Sequence, residues 1–301
     1  MIDTRPDRRH DQIVITTRTG PLTAPAKINL RLQVVGRRPD GYHELEMLNF
    51  PLSLHDTLWI EPVEGGIEAV CDVQGVPNGP SNLAARAARC FFEAVGVNQG
   101  LKIEIDKRIP VLAGLGGGSS DAASVLLALN SAADRPLGST ELNSLARSIG
   151  ADVPFFLEQK PCWAGGIGEV LTPLQDWPQM HIVLVKPDFG VSTAWAFEQW
   201  RGGLTSRGLQ VNLPLSFPDW ESLVPFVRND LEKYVSERHR QVRRIRGMLF
   251  ELGALHASMT GSGPTVFGVF SSCETAAEAK AKIESQSEGL WSEYTTTNLH
   301  R

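Results

Sequence analysis

The chain has 301 residues, 42% hydrophobic and 21% charged, the proportions of a soluble globular protein with a real core and with length for two domains or one large one. A net charge of −5 gives the whole chain no electrostatic reason to bind nucleic acid or an anionic membrane, so an anionic ligand must be held by a local site. No apolar run reaches membrane-spanning length. The four cysteines (Cys71, Cys90, Cys162 and Cys273) form no C-x-x-C pair and have no histidine at metal-ligand spacing, which reads as reduced structural thiols in a cytoplasmic protein.

Residues 1–12 mix Arg5, Arg8 and Arg9 with Asp3, Asp7 and Asp11. A signal peptide needs an apolar core and a transit peptide avoids acids, so the segment reads as a loose tail. Two strands are expected at 14–22 and 26–35. In the second, Ile28, Leu30, Leu32 and Val34 make one face and Lys27, Asn29, Arg31 and Gln33 the other. Arg37-Arg38-Pro39-Asp40-Gly41 is a turn, because Pro pre-sets φ and Gly accepts a positive one. Strand-rich sequence continues over 43–62. A helix over 82–95 would bury Leu83, Ala87, Cys90, Phe91 and Ala94, and a strand is expected over 101–108.

The most distinctive stretch follows: Pro110-Val111-Leu112-Ala113-Gly114-Leu115-Gly116-Gly117-Gly118-Ser119-Ser120-Asp121-Ala122-Ala123. It lies between a strand-like alternation and a helix running to about residue 132. A glycine-rich loop opening a helix gathers backbone N–H groups at the positive end of the helix dipole and suits a phosphate. A Cβ there would hold the backbone off the phosphate oxygens. No Gly-Lys-Ser/Thr ending is present, which excludes a P-loop, and Ser119 stands where G-x-G-x-x-G needs its third glycine. The plainer alternative is a flexible loop before a helix capped by Ser119 or Ser120.

A short helix over 140–149 would be capped by Ser139 or Thr140. Glycines over 164–168 suggest a hinge or domain junction, 181–186 a buried strand, and the Gly, Pro and Ser of 201–219 a long loop. A helix over 236–252 carries Val242, Ile245, Leu249 and Leu252 on one stripe. Residues 257–270 read as strand, glycine turn and strand, and 274–285 as a final helix. Interleaved strand-rich and helix-rich stretches indicate an α+β fold, not a doubly wound parallel sheet.

Four segments carry candidate chemistry. In Pro25-Ala26-Lys27-Ile28-Asn29-Leu30, Lys27 and Asn29 share a polar strand face whose plain reading is solvation. In Gly41-Tyr42-His43-Glu44, a ring beside an imidazole can stack on and hydrogen-bond a base, or be an ordinary surface pair. In Gly150-Ala151-Asp152-Val153-Pro154-Phe155-Phe156, an aspartate before an apolar run is a turn residue or a partly buried carboxylate, for which a lysine would serve as partner. Met259-Thr260-Gly261-Ser262-Gly263-Pro264-Thr265 is a second glycine turn.

Pro-Ala-Lys-Ile-Asn-Leu, the Gly-Leu-Gly-Gly-Gly-Ser-Ser loop and the late Gly-Ser-Gly-Pro turn, in this order, resemble the three motifs of the GHMP kinases over about residues 13 to 285. Asp40-Gly41-Tyr42-His43-Glu44-Leu45 and Gly-Ala-Asp-Val-Pro-Phe-Phe are similar to the branch whose acceptor alcohol carries a cytidine diphosphate, in the non-mevalonate route to isoprenoids. The resemblance implies a two-domain fold: a 13–175 ATP-binding domain like ribosomal protein S5 domain 2, and a 176–301 ferredoxin-like substrate domain. It implies ATP as co-substrate with Mg²⁺. It makes Lys27 and Asp152 a catalytic pair, Pro110 through Ser120 the ATP phosphate loop, and Asn82 a neighbour of the nucleotide. It places Asn29 near the acceptor, Tyr42 and His43 on the cytosine, and Phe197 as a second aromatic sandwiching cytosine against Tyr42. Ser119, Ser120 and glutamates are the candidates to meet the metal. Where that family usually reads Gly-Arg-Gly-Glu, this chain has Gly166-Ile167-Gly168-Glu169, which removes a possible anion contact.

The chemistry is coherent without the name. Phosphoryl transfer to an alcohol depends on positioning and charge stabilisation. A carboxylate near the hydroxyl can accept its proton, and a lysine beside it keeps it ionised. Three rival readings fit the residues less well. A mevalonate- or homoserine-type kinase leaves the Tyr42-His43 pair unexplained. An inactive ligand-binding relative does not need both Lys27 and Asp152. RNA binding through Arg238, Arg240, Arg243, Arg244 and Arg246 competes with the simpler view of a solvated helix face in an acidic chain.

Overall fold

A computed structural model describes residues 14–134, 136–202, 213–286 and 288–297. The 1–12 tail and most of the 201–219 loop lie outside the described residues. The chain forms two compact units that alternate along the sequence. The first holds residues up to Ala24, His55–Arg108 and Gly117–Glu158; the second holds Pro25–Leu54, Ile109–Gly116 and the chain from Gln159 onward. Two long strands, β1 (Thr19–Arg37) and β2 (His43–Val63), contribute to both. The strand expected at 14–22 begins only at Thr19 and runs on without a break through 26–35. Gly20 and Pro21 interrupt the apolar pattern there, but not the strand.

In the first unit, β3 (Ile67–Val70) lies parallel to β4 (Gly100–Asp106), and β4 pairs antiparallel with the 57–63 end of β2. Helix α1 (Leu83–Val95) starts where expected, with Asn82 as its N-cap accepting from Ala84 N at 2.8 Å. Its inward face is Ala84, Ala85, Ala87, Ala88, Phe91 and Phe92, while Ala94 is exposed. The small residues let α1 pack closely on α2 (Gly117–Ala132), whose Ala122, Ala123, Val125, Leu126 and Leu129 are buried. Helix α2 begins inside the glycine run. Ser119 and Ser120 therefore occupy its first turn and are not caps, and the N–H groups of that turn belong to the glycines and serines themselves. Helix α3 (Ser139–Ile149) is capped by Gly138, not by Ser139 or Thr140. Its free N–H is taken by the Glu141 carboxylate at 3.0 Å. Helix α4 (Val153–Glu158) closes the unit, with Asp152 just before it.

In the second unit, β5 (Cys162–Gly165) and β6 (Val170–Pro173) form a hairpin, and β5 pairs with β2 at residues 47–49. The glycines of 164–168 make that hairpin's turn; they are not a hinge or junction. Then come β7 (His181–Pro187), α5 (Thr193–Gln199), α6 (Trp220–Leu223), β8 (Arg228–Asn229), α7 (Glu232–Arg238), α8 (Arg240–Glu251), β9 (His256–Met259), β10 (Val266–Phe270), α9 (Cys273–Gln286) and β11 (Leu290–Thr296). The 236–252 helix is broken at His239, whose φ of −118° and ψ of 81° are not helical. Helix α9 is not the end of the fold. After it, β11 joins an antiparallel sheet of order β11-β7-β10-β9.

That sheet is buried on both faces, which is why β7 reads as a continuous apolar run. Ile182 and Leu184 pack with Ile28 and Leu30 of β1, Leu48 and Phe50 of β2, and Phe267 of β10. Val183 and Val185 point the other way, onto Val242, Ile245 and Leu249 of α8 and Ala276, Ala279 and Ile283 of α9. The arginines at 238, 240, 243, 244 and 246 are all exposed opposite this stripe, with Arg246 ion-paired to Glu232 at 3.3 Å. Among the described residues no helix is long and apolar enough to cross a membrane.

Candidate active site

The second unit holds the lysine. Lys27 and Asn29 lie on the polar face of β1, but that face is not solvated: they are 5% and 1% exposed. Burying an ammonium is costly without partners. The Lys27 Nζ donates to Asn29 Oδ1, and the Lys27 backbone N–H to Leu115 O at 3.0 Å. Asn29 Nδ2 donates to Asn49 Oδ1 on β2, and Asn29 N donates to the Oγ1 of Thr260 at 2.8 Å. The strand that presents Lys27 is therefore bonded both to the 109–116 loop and to the second glycine turn.

Those two glycine segments meet backbone to backbone. Gly114 has a φ of 78°, and a Cβ on it would fall 2.7 Å from Thr260 O. Across the contact, Gly261 has a φ of 58°, and its Cβ would fall 3.0 Å from Gly114 O. Both positions need glycine for the close approach as well as for the conformation. Leu112, next in the loop, is 71% exposed and also adopts a positive φ, 52°.

Also in the second unit, Tyr42 is 60% exposed after the turn that joins β1 to β2. His43, the first residue of β2, stacks on Phe197 of α5 with centroids 5.3 Å apart and meets Trp200 edge-on at 5.7 Å. Phe197 thus lies against His43, the neighbour of Tyr42. Burial, and then the charge of Arg37, hold the His43 pKa below its ordinary value, so the ring is neutral at neutral pH. Trp200 was not read from the sequence; an isolated tryptophan after a helix carries no motif. In the Gly166–Gly168 turn, the Glu169 carboxylate accepts from Ile167 N at 2.7 Å, so the turn is held by an acid.

The first unit holds the start of α2, Asn82 and Asp152. Asn82 is committed to the fold, its Oδ1 capping α1 and its Nδ2 donating to Pro77 O at 2.8 Å. In the first turn of α2, the Ser120 hydroxyl is buried and has no hydrogen-bond partner among the described residues. Beside it lies an ionic cluster that the sequence reading missed. The Lys107 ammonium donates to Asp56 and, at 2.7 Å, to Asp121, with all three side chains at most 4% exposed. Burial raises the Asp121 pKa to about 7, Lys107 opposing the rise and Asp56 adding to it. For Lys107, burial acts downward, but the two carboxylates outweigh it and leave its pKa raised. No spacing rule links residues 56, 107 and 121, and only packing reveals them.

Lys27 belongs to the second unit and Asp152 to the first. Among the described residues no group of three or more His, Cys, Asp or Glu could hold a metal ion.

Comparison with known proteins follows the same lines. The family model described as GHMP kinases N terminal domain matches residues 82–160, and that described as GHMP kinases C terminal matches 215–288. The chain is 46% identical over 265 residues to the 4-diphosphocytidyl-2-C-methyl-D-erythritol kinase of Syntrophotalea carbinolica, covering 88% of this chain and 94% of that one. It is 43% identical over 268 residues to the enzyme of the same name from Geobacter metallireducens, with 89% and 95% covered. A crystal structure of 4-(cytidine 5'-diphospho)-2C-methyl-D-erythritol kinase superposes with a TM-score of 0.77 at 36% identity, covering 94% of this chain and all of that one. A homoserine kinase from Cytophaga hutchinsonii shares the fold, with a TM-score of 0.66 at 17% identity and 96% of both chains covered.

Proposed function

From its membership of the GHMP kinases, in the 4-diphosphocytidyl-2-C-methyl-D-erythritol kinase family, we propose that this chain transfers the terminal phosphoryl group of ATP to the 2-hydroxyl of 4-diphosphocytidyl-2-C-methyl-D-erythritol. The reaction is a step of the non-mevalonate route to isoprenoid precursors. The observation that carries the reading is the second unit's joining of all three motifs: buried Lys27 on β1, the 109–116 loop bonded to it through Leu115 O, and the Thr260–Gly263 turn bonded to it through Thr260.

In this reading Asp152 accepts or orients the proton of the acceptor hydroxyl. Lys27 keeps that carboxylate ionised and offers positive charge to the phosphoryl group in transit. Asn29 sets the direction of the Lys27 ammonium. The backbone N–H groups of 110–120 hold the ATP phosphates, a reading supported by the start of α2 inside the glycine run and by the buried Ser120 hydroxyl, which has no partner among the described residues. Mg²⁺ would arrive on those phosphates, with Ser119 or Ser120 as its protein contact, and would supply charge neutralisation on the phosphate oxygens. Tyr42, His43 and Phe197 take the cytosine, an aromatic–imidazole set that fits a nucleotide-bearing acceptor and not mevalonate or homoserine. Asn82 fixes the start of α1 beside the nucleotide. In this reading the ATP-binding domain is 13–175 and the substrate domain 176–301 by sequence, bounds that differ from those of the two compact units, the second of which also holds Pro25–Leu54 and Ile109–Gly116. Cysteines that form no disulfide with one another fit a reducing cytoplasm.

The test is ATP-dependent phosphorylation across three acceptors: the cytidine-diphosphate methylerythritol, mevalonate and homoserine. Turnover of the first alone is expected. Comparable turnover of either of the others removes the acceptor assignment but leaves a GHMP kinase.

A further inference from the structure

Strand β8, only two residues long, pairs parallel with β1 at Arg31 and Leu32. The contact continues beyond it, where Asp230 N donates to Leu32 O at 2.9 Å and Val34 N donates to Asp230 Oδ2 at 3.0 Å. One side of this segment is thus fixed to the strand that carries Lys27. Its other side reaches the glycine turn. Asn229 Nδ2 donates to Met259 O at 2.7 Å and to Gly261 O at 2.9 Å, and Asn229 Oδ1 accepts from Leu231 N at 2.9 Å. The two carbonyls flank Thr260, which is fully buried and whose Oγ1 accepts from Asn29 N. Asn29 in turn accepts from the Lys27 ammonium. A primary amide suits this place because its single nitrogen gives two hydrogens to two carbonyls while its oxygen accepts a third bond. An aspartate would lose both donors, and an alanine would leave the carbonyls without a partner.

We propose that Asn229 is a positioning residue for phosphoryl transfer: it holds the Met259–Gly261 turn so that Thr260 sets Asn29, and Asn29 sets the Lys27 ammonium. The same hold keeps the turn seated on Gly114 of the loop that takes the ATP phosphates. This inference rests on the kinase reading of Lys27 and of that loop. A reacting group displaced by about an ångström forfeits about a hundredfold in rate, so the effect of losing the clamp is measurable.

The experiment compares full-length Asn229→Ala, Asn229→Asp, Thr260→Val and the Asn229→Ala/Thr260→Val double variant with Lys27→Ala, by steady-state kinetics per folded molecule with circular dichroism and thermal melting alongside. Asn229→Ala is expected to lower kcat about 10- to 100-fold. It should raise the KM for ATP at least about threefold and leave the acceptor KM within about twofold, since the turn lies on the phosphate side of the site. Asn229→Asp should be no better than alanine, and the double variant no worse than its more damaged parent, because both act through one chain of bonds. A purely structural residue would lower activity only with the folded fraction and leave both KM values unchanged; that result, or wild-type constants, overturns the proposal. If Asn229→Ala does not fold, Thr260→Val decides, and unchanged kcat in it overturns the proposal equally. Full turnover in Lys27→Ala would instead bring down the kinase reading itself. An inactive Lys27→Ala beside wild-type Asn229→Ala and Thr260→Val would bring down this inference alone.

Discussion

Lys27 carries its charge at a position 5% exposed to solvent, and its neighbour Asn29 is more deeply buried still. A lysine is retained in such a place for what its charge does, since an apolar residue would pack there at lower cost. General acid–base action by one group is worth about 10²–10⁴ in rate. Asp152→Asn, nearly isosteric, should therefore lower kcat by about that factor with both substrates still bound, and Lys27→Ala by a similar one. The double variant should lose far less than the product, because the two would act as one unit. The check is kcat for all four proteins, with calorimetry for binding. Near-wild-type turnover in Asp152→Asn removes it from the chemistry, and multiplicative losses mean that the two residues work separately. The cytosine contact is argued at the same scale. Stacking of a base on an aromatic side chain is worth roughly 1–3 kcal/mol, so Tyr42→Ala should raise the acceptor KM about tenfold with little change for ATP. Equal rises in both constants would show that the exposed Tyr42 is structural.

At the scale of elements, the two glycine segments act as a single backbone contact. Gly114→Ala should cost about 1–3 kcal/mol through its left-handed φ alone, with a further cost from the 2.7 Å approach of its Cβ to Thr260 O. Loss of ATP affinity should accompany it. Gly118→Ala is the control for stability, because its Cβ would meet only Leu83 Cδ1 at 3.4 Å, an ordinary contact. Urea unfolding of both variants settles the point: equal stability would mean that the loop and turn can separate without cost. Helix α2 illustrates how much a local reading misses. Ser119 and Ser120 have the composition of caps, yet the helix starts two residues earlier, because the glycines themselves take helical positions, where N–H groups have no partner within the helix. Likewise, the helix expected over 236–252 breaks at His239, just ahead of the apolar stripe of Val242, Ile245 and Leu249, which lies wholly in α8. Periodicity follows the buried face, and a kink between two helices that share that face leaves it unaltered.

At the scale of the whole molecule, the buried cluster of Lys107, Asp56 and Asp121 ties folding to pH. The Asp121 pKa is raised from 3.8 to about 7, so between those values the folded chain holds a proton that the unfolded chain releases. The stability this contributes is complete below pH 3.8 and is lost as pH rises through 7. Asp121→Asn cannot titrate. The unfolding free energy of the wild type should fall relative to that of the variant from about pH 4 to about pH 8, measured by urea unfolding at a series of pH values. Parallel curves would show that Asp121 titrates normally.

The sequence by itself determined what is local or ordered along the chain: the three motifs and their order, the α+β class, the helix beginning at Asn82, the buried strand β7 and the two glycine turns. Each of these follows from a residue's own conformational limits or from a repeat within one element. Only the tertiary structure decided which polar residues lose their water. Lys27 and Asn29 read as a solvated strand face until Thr260, Asn49 and Leu115, distant in sequence, are seen to cover and bond them. Asn229 and the Lys107 cluster left no sequence signal, because a hydrogen bond between residues on separate elements, 14 to 51 positions apart here, has no period and no required spacing. The physical reason is the same in each case. Backbone geometry acts over a few residues and is written in their order, whereas burial and charge pairing depend on what the folded chain brings alongside.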